Sequence, residues 1–170
     1  MPYGLNEFDT AKYIFWVWYN NETYSMPYHQ TTLTLPAYAR GIHIITPMIE
    51  DAIEALISHS SKAGLVHLFL QHTSASLAIN ENADPDVRLD TEDWLNKIAP
   101  ADQPEYRHTL EGSDDLPAHF KSIMLGVSLT VPLINGALGL GRWQGIYLCE
   151  HRDHLEKYGG QRKLVITVST

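Results

Sequence analysis

The chain has 170 residues, 44% of them hydrophobic and 19% charged, enough for one domain with a full core and too apolar for general disorder. Its formal net charge is −8 and it contains no run of Lys or Arg, which argues against nucleic acid and anionic membrane as partners. No apolar stretch approaches the roughly 20 residues that span a bilayer. The single cysteine, Cys149, has no internal partner, and both features point to a reducing, cytoplasmic setting.

Residues 1–25 differ from the rest of the chain. Glu7 and Asp9 stand where a secretory signal would carry positive charge, and Phe15, Trp16, Trp18 and Tyr19 crowd together without a clean period. Three expectations compete for this extension: an extra strand, a partner-docking segment, or an over-called start with the natural one at Met26. From Gln30 the pattern sharpens. TTLTL alternates as a half-buried strand, and GIHIIT is a second one. Thr46 and Pro47 then read as the cap and first turn of a helix with Met48, Ile49, Ala52, Ile53, Leu56 and Ile57 on one stripe, closed by Gly64.

LVHLFLQ is nearly all apolar and predicts a central strand covered on both faces, continued after a bend by SLAIN. Asp84-Pro85 opens a second helix that turns Val87, Trp94, Leu95 and Ile98 inward and stops before Pro100. Asp115 is a candidate N-cap for a short helix around PAHFKSIM, and GVSLTVPL, WQGIYLCEH and KLVITVS are three late strands. The order predicts an α+β domain over residues 26–170, with a largely antiparallel sheet or sandwich, two main helices and a short one.

Four groups of residues carry candidate chemistry. Along a continuous strand His72, Ser74 and Ser76 would share a face as a cradle for an anion; in the plainer alternative the hydroxyls satisfy backbone groups at a bend. Asn80, Glu81, Asn82 and Asp84 suit either a hard cation or capping of the following helix. In HTLEGSDDLPAHFKS, residues 108–122, the two histidines lie too far apart for one helix face, so only a loop can bring them together, and Gly112 with Pro117 would allow the reversal. His108 and His119 would then offer two imidazoles and Asp114 or Asp115 an oxygen, a set that favours zinc over magnesium. Otherwise Asp115 is a cap, Asp114 a solvated acid and the histidines surface residues. The glycines at 136, 139, 141 and 145 precede a strand and not a helix, which excludes a dinucleotide fingerprint. Trp143 beside them reads as a packing residue, and Gln144, Glu150, His151 and Arg152 form either a site rim or an ordinary sheet edge.

In order and spacing, QHTSASLAINEN, DPDVRLD, HTLEGSDDLPAHFKS, SLTVP and GRWQGIYLCEHR resemble the YjbQ-like family (UPF0047), in one register from about Met26 to the C-terminus. The resemblance implies a homotrimer, a divalent metal held by the same histidines, and a weak thiamine-phosphate synthase activity. Carried over by motif, the functional candidates are His72, Glu81, His108, Asp114, Asp115, His119 and Gln144. That reaction joins a pyrimidine diphosphate to a thiazole phosphate. His72, Glu81 and Gln144 would be catalytic, and Ser74, Ser76 and Arg142 would contact phosphate. The chain departs from the family in Arg142, where Thr is usual, in a longer HLEKYGGQRK stretch, and in residues 1–25, which have no counterpart. Diphosphate chemistry usually recruits magnesium through carboxylates, so a histidine-rich site implies that the transfer is a side reaction. The alternative is a non-catalytic trimer that binds a metal and a small ligand.

Overall fold

Residues 31–35 build the strand that their alternation predicts, within β1 (Tyr28–Leu35). A computed structural model describes residues 28–57, 63–153 and 160–170. The expectations for residues 1–25, and for residues 154–159 of the HLEKYGGQRK stretch, lie outside the described residues. After β1 come β2 (Gly41–Ile44), α1 (Thr46–Leu56), β3 (Ala63–Leu70), β4 (Ala75–Glu81), α2 (Pro85–Ile98) and α3 (Asp115–Leu125). The chain ends with β5 (Ser128–Ile134), β6 (Ala137–Leu138), β7 (Gln144–Glu150) and β8 (Arg162–Ser169). A five-stranded sheet has the order β1-β8-β3-β5-β6 and a three-stranded sheet the order β2-β7-β4. All of these pairings are antiparallel, as an α+β fold of this element order requires.

Among the described residues, both sheets and α1 contribute to the larger of two apolar core clusters. Val66, Leu68 and Leu70 of β3 and Leu164, Ile166 and Val168 of β8 join Leu77, Ile146 and Leu148 of the smaller sheet, with Ile49 and Ile53 from α1. The opposite face of β7 supplies Tyr147 and Cys149 to a second cluster with Ile42, against which Leu125 of α3 packs. The strand covered on both faces is therefore β7 and not β3. In β3 burial alternates, and Leu65 and Phe69 remain 51% and 43% exposed. Continuous apolarity there marks a strand with one face in the core and one apolar face outward.

The helix boundaries differ from the sequence pattern in instructive ways. Thr46 does not cap α1, because its Oγ1 accepts the Ile146 amide of β7 at 2.8 Å, so the sheet takes the hydroxyl and Ile45 stands at the cap. Gly64 does not close α1 but lies within β3, where a Cβ would run into the Ser169 carbonyl of β8. In α2 Leu95 alone is fully buried, while Trp94 and Ile98 are 55% and 44% exposed. The space beside α2 is filled instead by polar groups: Arg40 reaches Glu92 at 2.7 Å and also bonds Asn96, which the Lys121 ammonium shares. The third helix is as long as the first, at 11 residues, and buries Lys121 with its apolar positions. No helix among the described residues is long and apolar enough to cross a membrane.

Replacing Gly64 by Ala should destabilise the protein by about 1–3 kcal/mol, the usual cost of forcing volume into a packed site. Chemical denaturation should show a lower midpoint with an unchanged slope; an unaltered midpoint would mean that the ends of β3 and β8 separate at no cost.

Candidate metal centre

The loop between α2 and α3 reverses at Gly112, whose φ of +115° favours a residue without a Cβ. That reversal returns His108 to the first turn of α3, where Asp115 and His119 sit four residues apart on one face. Asp115 Oδ2 lies 2.6 Å from His108 Nε2 and 3.2 Å from His119 Nε2. Ligand atoms of all three lie within 4.8 Å of one another, and Glu111 brings an oxygen to 3.3 Å from His108 Nε2. His119 Nδ1 donates to the Thr73 carbonyl at 2.9 Å, which sets the tautomer and leaves the Nε2 lone pair facing Asp115. Two imidazoles and a carboxylate converging in this way, one imidazole already oriented by a carbonyl, fit a divalent ion of the zinc type.

Neither aspartate plays the part that a loop or a cap would give it. Asp114 is not a solvated acid, and no side chain caps α3. Both carboxylates are buried against Arg152, whose Nε meets Asp114 Oδ2 at 2.8 Å and whose Nη1 bonds Asp115 Oδ1. Its Nη2 donates to the Glu111 carbonyl at 2.8 Å. One guanidinium thus ties the end of β7 to the loop and the helix at once, leaving Asp115 Oδ2 for the histidines and Asp114 with a purely supporting role. Burial opposes the charge on Asp114, but the Asp153 amide and the Arg152 guanidinium outweigh it and hold the pKa below the ordinary value.

Behind this cluster lies a second one. Glu150 at the end of β7 is fully buried and takes a bidentate bond from Arg162, with both contacts at 2.7 Å. Arg162 also reaches Ser74 Oγ at 3.2 Å and His72 Nδ1 at 3.3 Å, while His72 Nε2 accepts the Lys163 amide at 2.7 Å. Partial burial, and then the facing guanidinium, lower the His72 pKa. Ser76 is buried and bonds His151 Nε2 at 2.9 Å. The expected cradle of His72, Ser74 and Ser76 is therefore absent. Strand β4 begins only at Ala75, and all three side chains are engaged within the protein.

The other candidates stand elsewhere. Glu81 pairs with Gln144 across β4 and β7, at the far end from the Ala75–Glu150 pair. Six residues of strand separate the two ends, about 20 Å. Glu81 accepts the amides of Ala83 and Asp84, and Asp84 accepts that of Asp86, so this acidic run caps α2. Gln144 accepts the Gly141 amide, and the Arg142 guanidinium lies 5.2 Å from the centre of the exposed Trp143 ring. Within one chain, His72, Glu81 and Gln144 do not form a catalytic group, and Arg142 is not beside Ser74 and Ser76.

Sequence reasoning missed Arg162 altogether and left Arg152 undecided at a strand end. The available signal was the run Glu150, His151, Arg152 directly after five apolar or small residues: a strand buried on both faces carries its last charges into the interior with it.

A family model described as UPF0047 protein YjbQ-like matches residues 31–170. The chain belongs to the YjbQ-like family. It is 49% identical over 141 residues to the UPF0047 protein YjbQ of Salmonella typhimurium, spanning 83% of this chain and 97% of that one. A Synechocystis UPF0047 protein is 42% identical over 142 residues, with 83% and 91% covered. Among solved structures, a conserved hypothetical protein of Thermus thermophilus superposes with a TM-score of 0.66 at 36% identity, over 81% of this chain and 97% of that one. A YbjQ-like protein of unknown function from Sulfolobus solfataricus shares the fold, with a TM-score of 0.70 at 20% identity over 85% and 99% of the two chains.

His151 gives the interior a defined acid response. Burial first, then the nearby Lys121 and Arg40, push its pKa from 6.5 down to about 3. Below pH 6.5 the unfolded chain takes up a proton that the fold refuses. Stability should therefore fall as the pH drops from 6.5 towards 3, by up to about 1.4 kcal/mol per pH unit. His151→Gln, which keeps an amide to bond Ser76, should flatten that slope in urea denaturation between pH 7.5 and 5; an equal slope in both proteins would assign the acid loss to other groups.

Proposed function

We propose that this YjbQ-like chain binds one divalent metal ion, with zinc favoured, through His108, Asp115 and His119, and that it uses the centre to hold a small ligand. The observation that carries this is the preset donor set: His119 is oriented by the Thr73 carbonyl and Asp115 by Arg152, so two of the three donors are held before any ion arrives. Glu111 is a further oxygen within reach, and Asp114 supports through Arg152 without joining. When bound, such an ion supplies a Lewis acid that attracts anionic oxygen. The chain's own residues orient the donors and exclude water from the Asp115 side.

Thiamine-phosphate synthase activity, which the family resemblance implies, is on this reading a side reaction. A diphosphate calls for several cations or a magnesium ion on carboxylates. Ser74, Ser76 and Arg162 are consumed by internal bonds, and Arg142 sits with Trp143 near the distant Gln144 turn. The implied homotrimer would have a surface to use in the outward apolar face of the larger sheet, where Leu65 and Ile134 are 51% and 54% exposed on neighbouring strands.

Elemental mass spectrometry of tag-free protein dialysed against zinc should find close to one ion per chain in the wild type. It should find little in the His108→Ala/His119→Ala double variant, and any thiamine phosphate formed from the two phosphorylated precursors should vanish with the metal. Equal metal content in both proteins would overturn the centre. Product formation that survives metal loss would separate the transfer from it. Light scattering with and without a chelator then reports whether the metal also holds copies together; an unchanged mass would place the centre within a single chain's own structure.

A further inference from the structure

A concavity with a mainly apolar wall opens on the His119 side of the metal centre. It measures about 740 Å³ and lies between the end of β3, the residues 71–73 that follow it, and α3. Small-molecule sites commonly fall in this size range. Phe69, Leu70, Ile123 and Val127 make its apolar wall. Two of them, Phe69 and Ile123, are 43% and 80% exposed, so they leave apolar surface in water that an occupant would cover.

Gln71, His72, Thr73, His119 and Ser122 are its polar residues, and three of these side chains are engaged within the protein. Ser122 Oγ donates to the Ala75 carbonyl at 2.8 Å, His119 Nδ1 donates to Thr73 O, and His72 Nε2 accepts the Lys163 amide. No lysine or arginine is among the described residues that line it. Arg162, which reaches His72, is occupied by Glu150 and Ser74. Among the described lining residues a chain of phosphates would find no cation; the charges of Arg162 and Lys163 act on His72 from outside the lining. The place where negative charge would be met is the His119 edge, because His119 both lines the cavity and belongs to the donor set of the metal centre.

We infer that the cavity takes a small monocarboxylic acid with a ring-sized apolar body, the body against Phe69, Ile123 and Val127 and the carboxylate at the His119 edge. The inference rests on the metal centre proposed above, since without an ion the edge offers a carboxylate and two imidazoles to an anion. It goes further in naming the ligand's chemistry, and that chemistry is unlike the diphosphate of the transfer reaction.

Isothermal titration calorimetry on zinc-loaded, tag-free full chain, with acetate and 3-phenylpropionate as probes, tests this directly. The phenyl acid should bind at least about tenfold more tightly than acetate, from the apolar surface that its ring buries. Chelation of the metal should weaken the phenyl acid at least about tenfold, the minimum for a directly met charge. Ile123→Glu changes an exposed side chain and should fold normally; it should abolish the preference for the ring while zinc content stays the same. Zinc uptake with equal affinities for the two acids would overturn the cavity assignment and leave the metal centre standing. Phenyl-acid binding indifferent to chelation would overturn the placement of the head. Failure to take up zinc at all would remove the metal centre itself, and this inference with it. If Ile123→Glu instead dissociates an oligomer and the wild type ignores both acids, the wall belongs to a second copy and the inference is wrong.

Discussion

The Arg152 guanidinium is the contact on which the candidate site depends. It stands just beyond β7, the strand packed on both faces, and reaches outward to Asp114, Asp115 and the Glu111 carbonyl. The loop from Ala99 to Asp114 has no regular secondary structure of its own, and this fork fastens it near the histidines. Losing one partner of such a buried pair typically costs about 3–5 kcal/mol, because the remaining charge is stranded. That penalty keeps Asp115 aimed with one oxygen inward and the other toward the histidines. The site is therefore a product of sheet packing as much as of loop sequence.

A second ion pair solves a similar problem at the end of the same strand. Glu150 is fully buried, and its charge is tolerable because Arg162 of β8 meets both oxygens from the other sheet. The two pairs put neighbouring charges of one strand end to separate uses: Glu150 joins the two sheets, and Arg152 joins sheet to helix. Between them His151 is held neutral by burial, with Ser76 as its partner. The residues that looked like a phosphate cradle are hydrogen-bonding partners of buried groups, Ser74 of the Arg162 guanidinium and Ser76 of the neutral His151.

Much of the architecture was legible in the sequence alone. Alternation located β1, apolar runs located β3, β5, β7 and β8, and Asp84-Pro85 located the start of α2, because each is a local preference written into neighbouring residues. The errors share a cause. Thr46 is chemically a good cap, yet a strand amide from a residue 100 positions away claims its hydroxyl. Gly64 looks like a helix terminator, yet it is required by the close approach of β8. Trp94 and Ile98 fit an inward stripe but stay exposed, while Arg40 and Lys121 pack beside α2 by bonding its Asn96.

The candidate site divides along the same line. Residue types and spacing allowed His108 and His119 to meet an aspartate if the loop reversed at Gly112, beside the plainer reading of surface histidines, and motif order marked the chain as a YjbQ-like α+β domain. These are properties of short segments. Which aspartate faces the histidines, that His72 turns to β8 instead, and that Glu81 and Gln144 fall at the far end of the sheet were decided only by tertiary structure. The reason is physical: strand register sets how far apart two distant residues lie, and buried charges take the partners that register brings. Neither is encoded in a residue's immediate neighbours.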